Sequence, residues 1–259
     1  MDRKPAPRDL GKVTGRVVQA MGWRSLNLHT HISLVNRYVY FEVPKAGCGT
    51  MKQTLGGLEA SRSGERLVTL VQDNPHDRTR VTPFVKPFQL PSDELEHVLT
   101  SRKFTRFAVV REPAARLLSG WLEKITQGLQ QSEPIFEILT EQGRAPERPG
   151  DISFADFIDV ICALPSRKQD PHWRRQTDQI GLDFIRFNAL IHLEDLETSW
   201  DRLGELTGSP GLKEDFFCKR PTHAGSHMAE HYTPALLDQV AQAYAADYKA
   251  FGYAVPRLG

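Results

Sequence analysis

The stretch Val43-Pro44-Lys45-Ala46-Gly47-Cys48-Gly49-Thr50-Met51-Lys52 comes just after the apolar run Tyr38-Val39-Tyr40-Phe41. That run is rich in aromatic and β-branched residues and reads as a buried strand. A strand, a glycine-bearing turn and then a segment with helical potential, here about Thr50 to Leu58, is an arrangement that cradles an anion. The glycines let the backbone approach closely, the N–H groups of the turn point inward, and the helix offers its positive end. Lysines at both edges point to a negative ligand. Taken alone, the same glycines also suit an ordinary tight turn. Gly56-Gly57 weakens the helix toward its end.

At 259 residues the chain is long enough for one α/β domain over 1–259, with residues 1–30 as an N-terminal arm and 127–150 as a surface insertion. Lys plus Arg total 33 against 32 for Asp plus Glu, so net charge provides no general attraction to nucleic acid or anionic membrane, and any anion site is local. No run of about 18 apolar residues predicts a membrane span. The N-terminus, Met1 to Pro7, lacks the apolar core of a secretory signal. Three cysteines, Cys48, Cys162 and Cys218, are too few and too scattered for a disulfide framework. The expected setting is cytoplasmic and reducing, with peripheral membrane contact and oligomeric state left open. Residues 1 to 16, with Arg3, Lys4, Arg8, Lys12 and Arg16 and no clear period, read as a solvated arm.

Farther along, Leu67-Val68-Thr69-Leu70-Val71 reads as a second buried strand that delivers Asp73, Asn74 and His76 to the loop beyond its end. Loops outside the carboxyl ends of strands are where open α/β sheets bind ligands. His76 is therefore a candidate for chemistry, against the plainer reading of a surface histidine. Ser92-Asp93-Glu94 predicts a helix start, with Ser92 as cap, running to about Ser101. Phe104 to Val110 is the third strand, and it leads into Arg111-Glu112-Pro113-Ala114-Ala115-Arg116-Leu117-Leu118-Ser119-Gly120-Trp121. Pro113 suits the first turn of a helix, with Arg111 at the strand end and Ser119 about two turns in. Arg111 and Ser119 together make a second anion site, arginine being suited to a terminal phosphate because it binds two oxygens at once.

Between Gln127 and Gly150 prolines, glutamines and glycines break the pattern. Ser153 then caps a helix from Phe154 to Leu164, with Asp156 completing a capping-box-like pair. Asp170-Pro171-His172-Trp173-Arg174-Arg175-Gln176 packs an indole, an imidazole, two guanidiniums and an amide into one loop. It suits either a stacking platform for a polar acceptor or a tryptophan anchor for a long loop. Phe184 to Phe187 and Ala189 to Leu193 are short strands, and Glu194 to Thr207 is a helix ending near Gly208. Cys218 to His231 is a basic loop with Lys219, Arg220, His223, Ser226 and His227. The spacing of His223, His227 and His231 by four would align metal ligands on a helix, but Pro221 and Gly225 oppose a helix there, so no metal is expected. A last helix runs from Pro234 to about Ala246, ahead of Tyr248, Phe251, Gly252 and Tyr253.

Four of these stretches resemble the sulfotransferases that use 3′-phosphoadenosine 5′-phosphosulfate (PAPS), most closely the carbohydrate sulfotransferases of the chondroitin/HNK-1 group. Val43 to Lys52 is similar to the family's 5′-phosphosulfate loop, and Phe107 to Ser119 to its 3′-phosphate site. His172-Trp173 with Gln176 is similar to a His-Trp-x-x-Gln loop, and Tyr244 to Asp247 with Phe251-Gly252-Tyr253 to its C-terminal helix. The resemblance implies a P-loop-containing nucleotide-hydrolase-like sulfotransferase fold, with a central parallel sheet flanked by helices. It also implies PAPS as co-substrate, no metal, and a glycan or other hydroxyl-bearing acceptor. It gives donor-binding roles to Pro44, Lys45, Ala46, Gly47, Cys48, Gly49, Thr50, Met51, Arg111, Ser119 and Lys219. Lys45 steadies the leaving oxygen, and His76 is the base, with His172 as its substitute. The chain departs from Golgi members in lacking an anchor and carrying few cysteines, so it looks like a bacterial, cytoplasmic relative. Arg174-Arg175 stands where proline is common before the glutamine, which leaves the acceptor open.

Two other readings compete. A P-loop kinase requires Gly-x-x-x-x-Gly-Lys-Ser/Thr, whereas Lys45 precedes the glycines here. A nucleotide-binding scaffold without catalysis would keep the same fold.

Overall fold

The computed structural model of the protein describes residues 7–61, 82–212 and 224–257. The expected strand at Leu67–Val71, His76 and Lys219 lie outside the described residues. In chain order the main elements are α1 (Lys12–Met21), α2 (Trp23–His29), β1 (Thr30–Ser33), β2 (Tyr38–Phe41), α3 (Cys48–Ala60), α4 (Ser92–Thr100), β3 (Thr105–Val110), α5 (Pro113–Gly120), α6 (Glu133–Glu141), α7 (Phe154–Ala163), α8 (Gln176–Ile180), β4 (Ala189–His192), α9 (Trp200–Thr207), α10 (Met228–His231), α11 (Pro234–Ala243) and α12 (Ala245–Phe251). The chain divides into two compact units, one of Met1–Val110 with Asp178–Lys219, the other of Arg111–Thr177 with Arg220–Gly259.

The first unit carries the sheet, in the order β1-β2-β3-β4. The run of β2, β3 and β4 is parallel, Tyr40 facing Phe107 and Val110 facing His192. The parallel centre is as expected, but β1 pairs antiparallel to β2 and was not legible as a strand. Its residues, Thr30-His31-Ile32-Ser33, alternate in no useful way, yet all four are buried. Tyr38, Tyr40, Phe107, Met51, Leu55, Ile191 and Leu203 form part of the core of this unit. Burying these side chains contributes roughly 1.5–3 kcal/mol each before chain entropy is counted, so β2 and α3 are anchored by packing rather than by propensity.

Several expectations give way to tertiary contacts. The stretch read as a solvated arm contains α1, because Glu96 of α4 caps it: the N–H groups of Val13 and Thr14 donate to its carboxylate at 2.9 and 2.8 Å, and the Thr14 hydroxyl at 2.6 Å. A cap supplied from more than eighty residues away leaves no local signature. Ser92 does not cap α4; it is the first helical residue, after Pro91, and its hydroxyl donates to Asp9. Phe184 to Phe187 is not a strand, since the N–H groups of Phe184 and Ile185 turn back onto the Gly181 carbonyl. The helix expected from Glu194 divides into a 3₁₀ segment, Leu193–Thr198, and α9, which ends at Gly208 in the left-handed region. Conversely, α3 runs through Gly56-Gly57 to Ala60, both glycines being buried.

The second unit is helical, around Leu117, Leu118, Phe157, Ile161, Trp173 and Tyr244 among others. The segment 127–150 is not wholly on the surface: it forms α6, whose Ile135 and Leu139 enter this core. Ser153 caps α7 as expected, accepting from the Asp156 N–H. The last helix is broken at Tyr244 into α11 and α12, and Gly252 ends it with φ 70°. Among the described residues no helix is long and apolar enough to cross a membrane, and Cys48 and Cys162 are free thiols.

Candidate functional site

Between β2 and α3 the chain reverses through two left-handed residues, Lys45 at φ 69° and Gly47 at φ 71°. The Ala46 N–H closes the turn onto the Val43 carbonyl at 3.2 Å, and the Met51 N–H reaches Gly47 at 3.0 Å. A lysine held at positive φ costs on the order of 1 kcal/mol or more, a strain that persists only where surrounding structure holds it and that clusters at ligand sites. The φ of Gly47 suits glycine, and a Cβ there would stand 2.7 Å from Leu193 Cδ1 and displace that methyl group. The N-cap of α3 is Gly47, which has no side chain to offer the first-turn amides. A thirteen-residue helix whose N-cap is a glycine, preceded by a half-buried lysine and a tight left-handed turn, fits a phosphate group. Pro44, Ala46 and Thr50 are buried, while Lys45, Gly47, Cys48 and Gly49 are half-buried. Met51 belongs to the core, so any contact it makes with a ligand is through its backbone. Burial, then the charge of Glu42, pushes the Cys48 thiol up despite Lys52 and Lys45, so this cysteine is a small packed residue rather than a nucleophile.

Alongside the loop runs a buried polar chain that sequence reasoning missed. Glu42, 2% exposed, accepts from Lys52 Nζ at 2.9 Å and from His31 Nε2 at 2.8 Å. The other ring nitrogen of His31 stands 3.0 Å from Lys86 Nζ, and that ammonium also donates to the Thr30 carbonyl. An ammonium only donates and a carboxylate only accepts, so His31 is neutral with its proton on Nε2. Burial, followed by the charge of Lys86, lowers its pKa to about 3. Burial by itself would raise the Glu42 pKa, but Lys52 and the His31 hydrogen bond hold it well below the usual carboxylate range. The available signal was a lone acid directly after an apolar strand, since a buried carboxylate needs a partner.

In the second unit, Arg111 opens the segment and α5 follows. The first-turn amides of α5 are occupied: Glu112 accepts from the N–H groups of Ala114 at 3.0 Å and Ala115 at 2.6 Å, and from the Tyr248 hydroxyl at 2.7 Å. These amides are therefore already satisfied by the chain's own carboxylate. Arg111 is half-buried, and Ser119 is buried in α5. Arg116 is fully buried and donates to the carbonyls of Arg174 and Pro171, both at 2.8 Å. Burial lowers its pKa to about 10, so it keeps its charge.

The loop carrying His172 is thus tied down. Trp173 is buried edge-on against Phe157 at 5.3 Å, and the Tyr244 hydroxyl donates to the Trp173 carbonyl at 2.6 Å. Of the two readings for this loop the anchoring one holds for Trp173. His172 keeps its side chain 23% exposed, with Nδ1 2.6 Å from Asp170. In its neutral form the ring must carry its proton on Nδ1, which leaves the Nε2 lone pair available. Of the three spaced histidines, His223 lies outside the described residues, His227 pairs with Glu230 at 2.9 Å, and His231 lies against Trp121. The Lys45 loop belongs to the first unit, and Arg111, Ser119 and His172 to the second.

The profile of the sulfotransferase family matches residues 29–254. Among curated relatives, the chain is 24% identical to carbohydrate sulfotransferase 14 of Danio rerio over 246 residues, covering 90% of this chain and 64% of the relative. It is 24% identical to carbohydrate sulfotransferase 11 of Mus musculus, covering 88% and 68%. It is 23% identical to carbohydrate sulfotransferase 9 of Homo sapiens, covering 86% and 52%. The chain spans less than two thirds of the length of the first and third of these relatives. No solved structure matches it significantly.

Proposed function

Because this chain belongs to the sulfotransferase family across residues 29–254, we propose that it moves the sulfuryl group of PAPS to a hydroxyl of a carbohydrate acceptor. The observation that carries the reading is the Lys45–Gly47 turn, doubly left-handed, set ahead of the first turn of α3 with Gly47 as its N-cap. We read it as a P-loop-like phosphate cradle. The acceptor class is supported by the names of the relatives, carbohydrate sulfotransferases.

The donor supplies an activated sulfur–oxygen bond, and its cleavage leaves negative charge on the phosphate oxygen. In-line transfer of this kind, like phosphoryl transfer, passes through a loose transition state, so positioning and cationic stabilisation do most of the catalysis. Lys45 neutralises the charge developing on that oxygen. The N–H groups of Gly47 to Thr50 and the Thr50 hydroxyl hold the 5′-phosphate, with Lys219 as a further donor contact. Arg111 and Ser119 hold the 3′-phosphate that separates this donor from ATP. A histidine takes the acceptor hydroxyl proton as the new sulfur–oxygen bond forms. His76 and His172 are the two candidates, and for His172 the Asp170 partner favours a ring that accepts the proton on Nε2.

Transfer of labelled sulfate from PAPS to a panel of glycans tests the reading. Activity toward at least one glycan is expected, reduced in Lys45→Ala by about 10²–10³-fold, the range for removing one preorganised charge-stabilising group. Binding of the donor without transfer to any hydroxylated acceptor would instead support a scaffold.

A further inference from the structure

Gln176 makes a contact that its place in the sequence does not announce. Its carboxamide pairs with both polar atoms of the Arg111 backbone: the Arg111 N–H donates to Oε1 at 2.9 Å, and Nε2 donates to the Arg111 carbonyl at 2.7 Å. The pairing of β3 with β4 ends at Val110. At Arg111 the side chain of Gln176 satisfies both backbone groups. A carboxamide is the side chain that offers a donor and an acceptor in one plane, as a peptide unit does. Glutamate lacks the donor, and an apolar residue lacks both.

The amide is itself held. Gln176 is fully buried, and its own N–H donates to Asp247 Oδ2 at 2.7 Å. The Thr177 N–H and hydroxyl donate to Asp247 Oδ1 at 2.9 and 2.8 Å. Asp247, on α12, is also fully buried. The result is a line of hydrogen bonds from α12 through Gln176 to the backbone of Arg111, whose two central side chains, Asp247 and Gln176, are fully buried.

The remainder of the loop does not need this line. Arg116 holds the carbonyls of Pro171 and Arg174, Tyr244 holds that of Trp173, and the indole packs on Phe157. The part that depends on the Gln176 amide is the main chain of Arg111, the residue from which the guanidinium is projected.

We propose that Gln176, fixed by Asp247, is the positioning residue that sets Arg111 to bind the 3′-phosphate, so that selectivity for a 3′-phosphorylated nucleotide is governed from the C-terminal helix. This rests on the assignment of Arg111 to the 3′-phosphate made above. The role of the glutamine is thus different from acceptor recognition: it makes no contact with substrate and acts through the arginine.

Two ligands that differ by one group separate the possibilities. Adenosine 3′,5′-bisphosphate and adenosine 5′-monophosphate share the base, ribose and 5′-phosphate, and their affinities are measured by calorimetry on the full chain. The wild type is expected to prefer the bisphosphate. In Gln176→Leu that preference falls by about 10–100-fold, the scale set by misplacing a charged hydrogen-bonding group, while affinity for the monophosphate stays unchanged. Asp247→Asn, which keeps the shape and removes the charge, shifts the same ratio in the same direction, and it serves where the leucine variant does not fold. If the wild type shows no preference, the assignment of Arg111 is wrong, and this inference goes with it. If the wild type prefers the bisphosphate and the variants keep that ratio, or lose both ligands in equal measure, the assignment stands and the positioning role is overturned.

Discussion

His31 shows what burial does to a single side chain. An exposed histidine takes up a proton near 6.5, whereas here the pKa is lowered to about 3. The charges facing it are Lys86 and Lys52, which disfavour a proton, and Glu42, which favours one. Between those two values the unfolded chain binds a proton that the folded protein refuses, so stability falls as pH drops from about 6.5 toward 3. Glu42 adds to the loss at lower pH: its folded pKa is depressed, so its contribution is complete above about 4.5 and fades as pH falls below that. Urea unfolding followed against pH should show this early decline, and His31→Gln, which retains a donor and an acceptor without a titrating ring, should flatten it between pH 6.5 and 4.5. An unchanged profile in that variant would mean that His31 does not govern the acid limb.

Helices α3 and α5 look alike in the sequence, each following a strand, but their N-termini are used differently. The N-cap of α3 is Gly47, which has no side chain to fill the first-turn amides. The first turn of α5 is closed by Glu112, which fills two amides and is itself held by Tyr248. The motif surrounding Arg111 thus contains its own carboxylate, which already satisfies the first-turn amides of α5. Glu112→Ala should destabilise the protein by about 1–2 kcal/mol through the lost cap, read as a lower urea midpoint with an unchanged slope. Glu112→Gln keeps the acceptor and should cost less. A null effect of the alanine variant would argue that solvent replaces the carboxylate without penalty.

For the molecule as a whole, Lys plus Arg exceed Asp plus Glu by one, so ligand recognition depends on local sites and should discriminate by shape. Adenosine 3′,5′-bisphosphate at about a hundred times its dissociation constant should stabilise the fold by about 2.7 kcal/mol, seen as a raised Tm, whereas ATP with magnesium should do little. The reverse order would return the chain to the kinase reading. The parallel strands Tyr38–Phe41 and Thr105–Val110, the glycine turn and the Pro113 helix start were all legible, because each is written in contiguous residues: an apolar run, a positive-φ glycine, a proline at the first turn. The same holds for the motif that names the family. What contiguous residues could not show were partners drawn from far along the chain. Glu96 capping α1, Lys86 completing the His31 chain, and Asp247 with Gln176 bracketing Arg111 join residues 55 to 83 positions apart. Hydrophobic period and turn chemistry are properties of a local window, so the sequence by itself determined the central strands, the glycine turn and the helix starts that follow them. Which carboxylate, amide or ammonium meets which backbone group depends on how the elements pack, so only the tertiary structure decided how Glu42 and the main chain of Arg111 are each held.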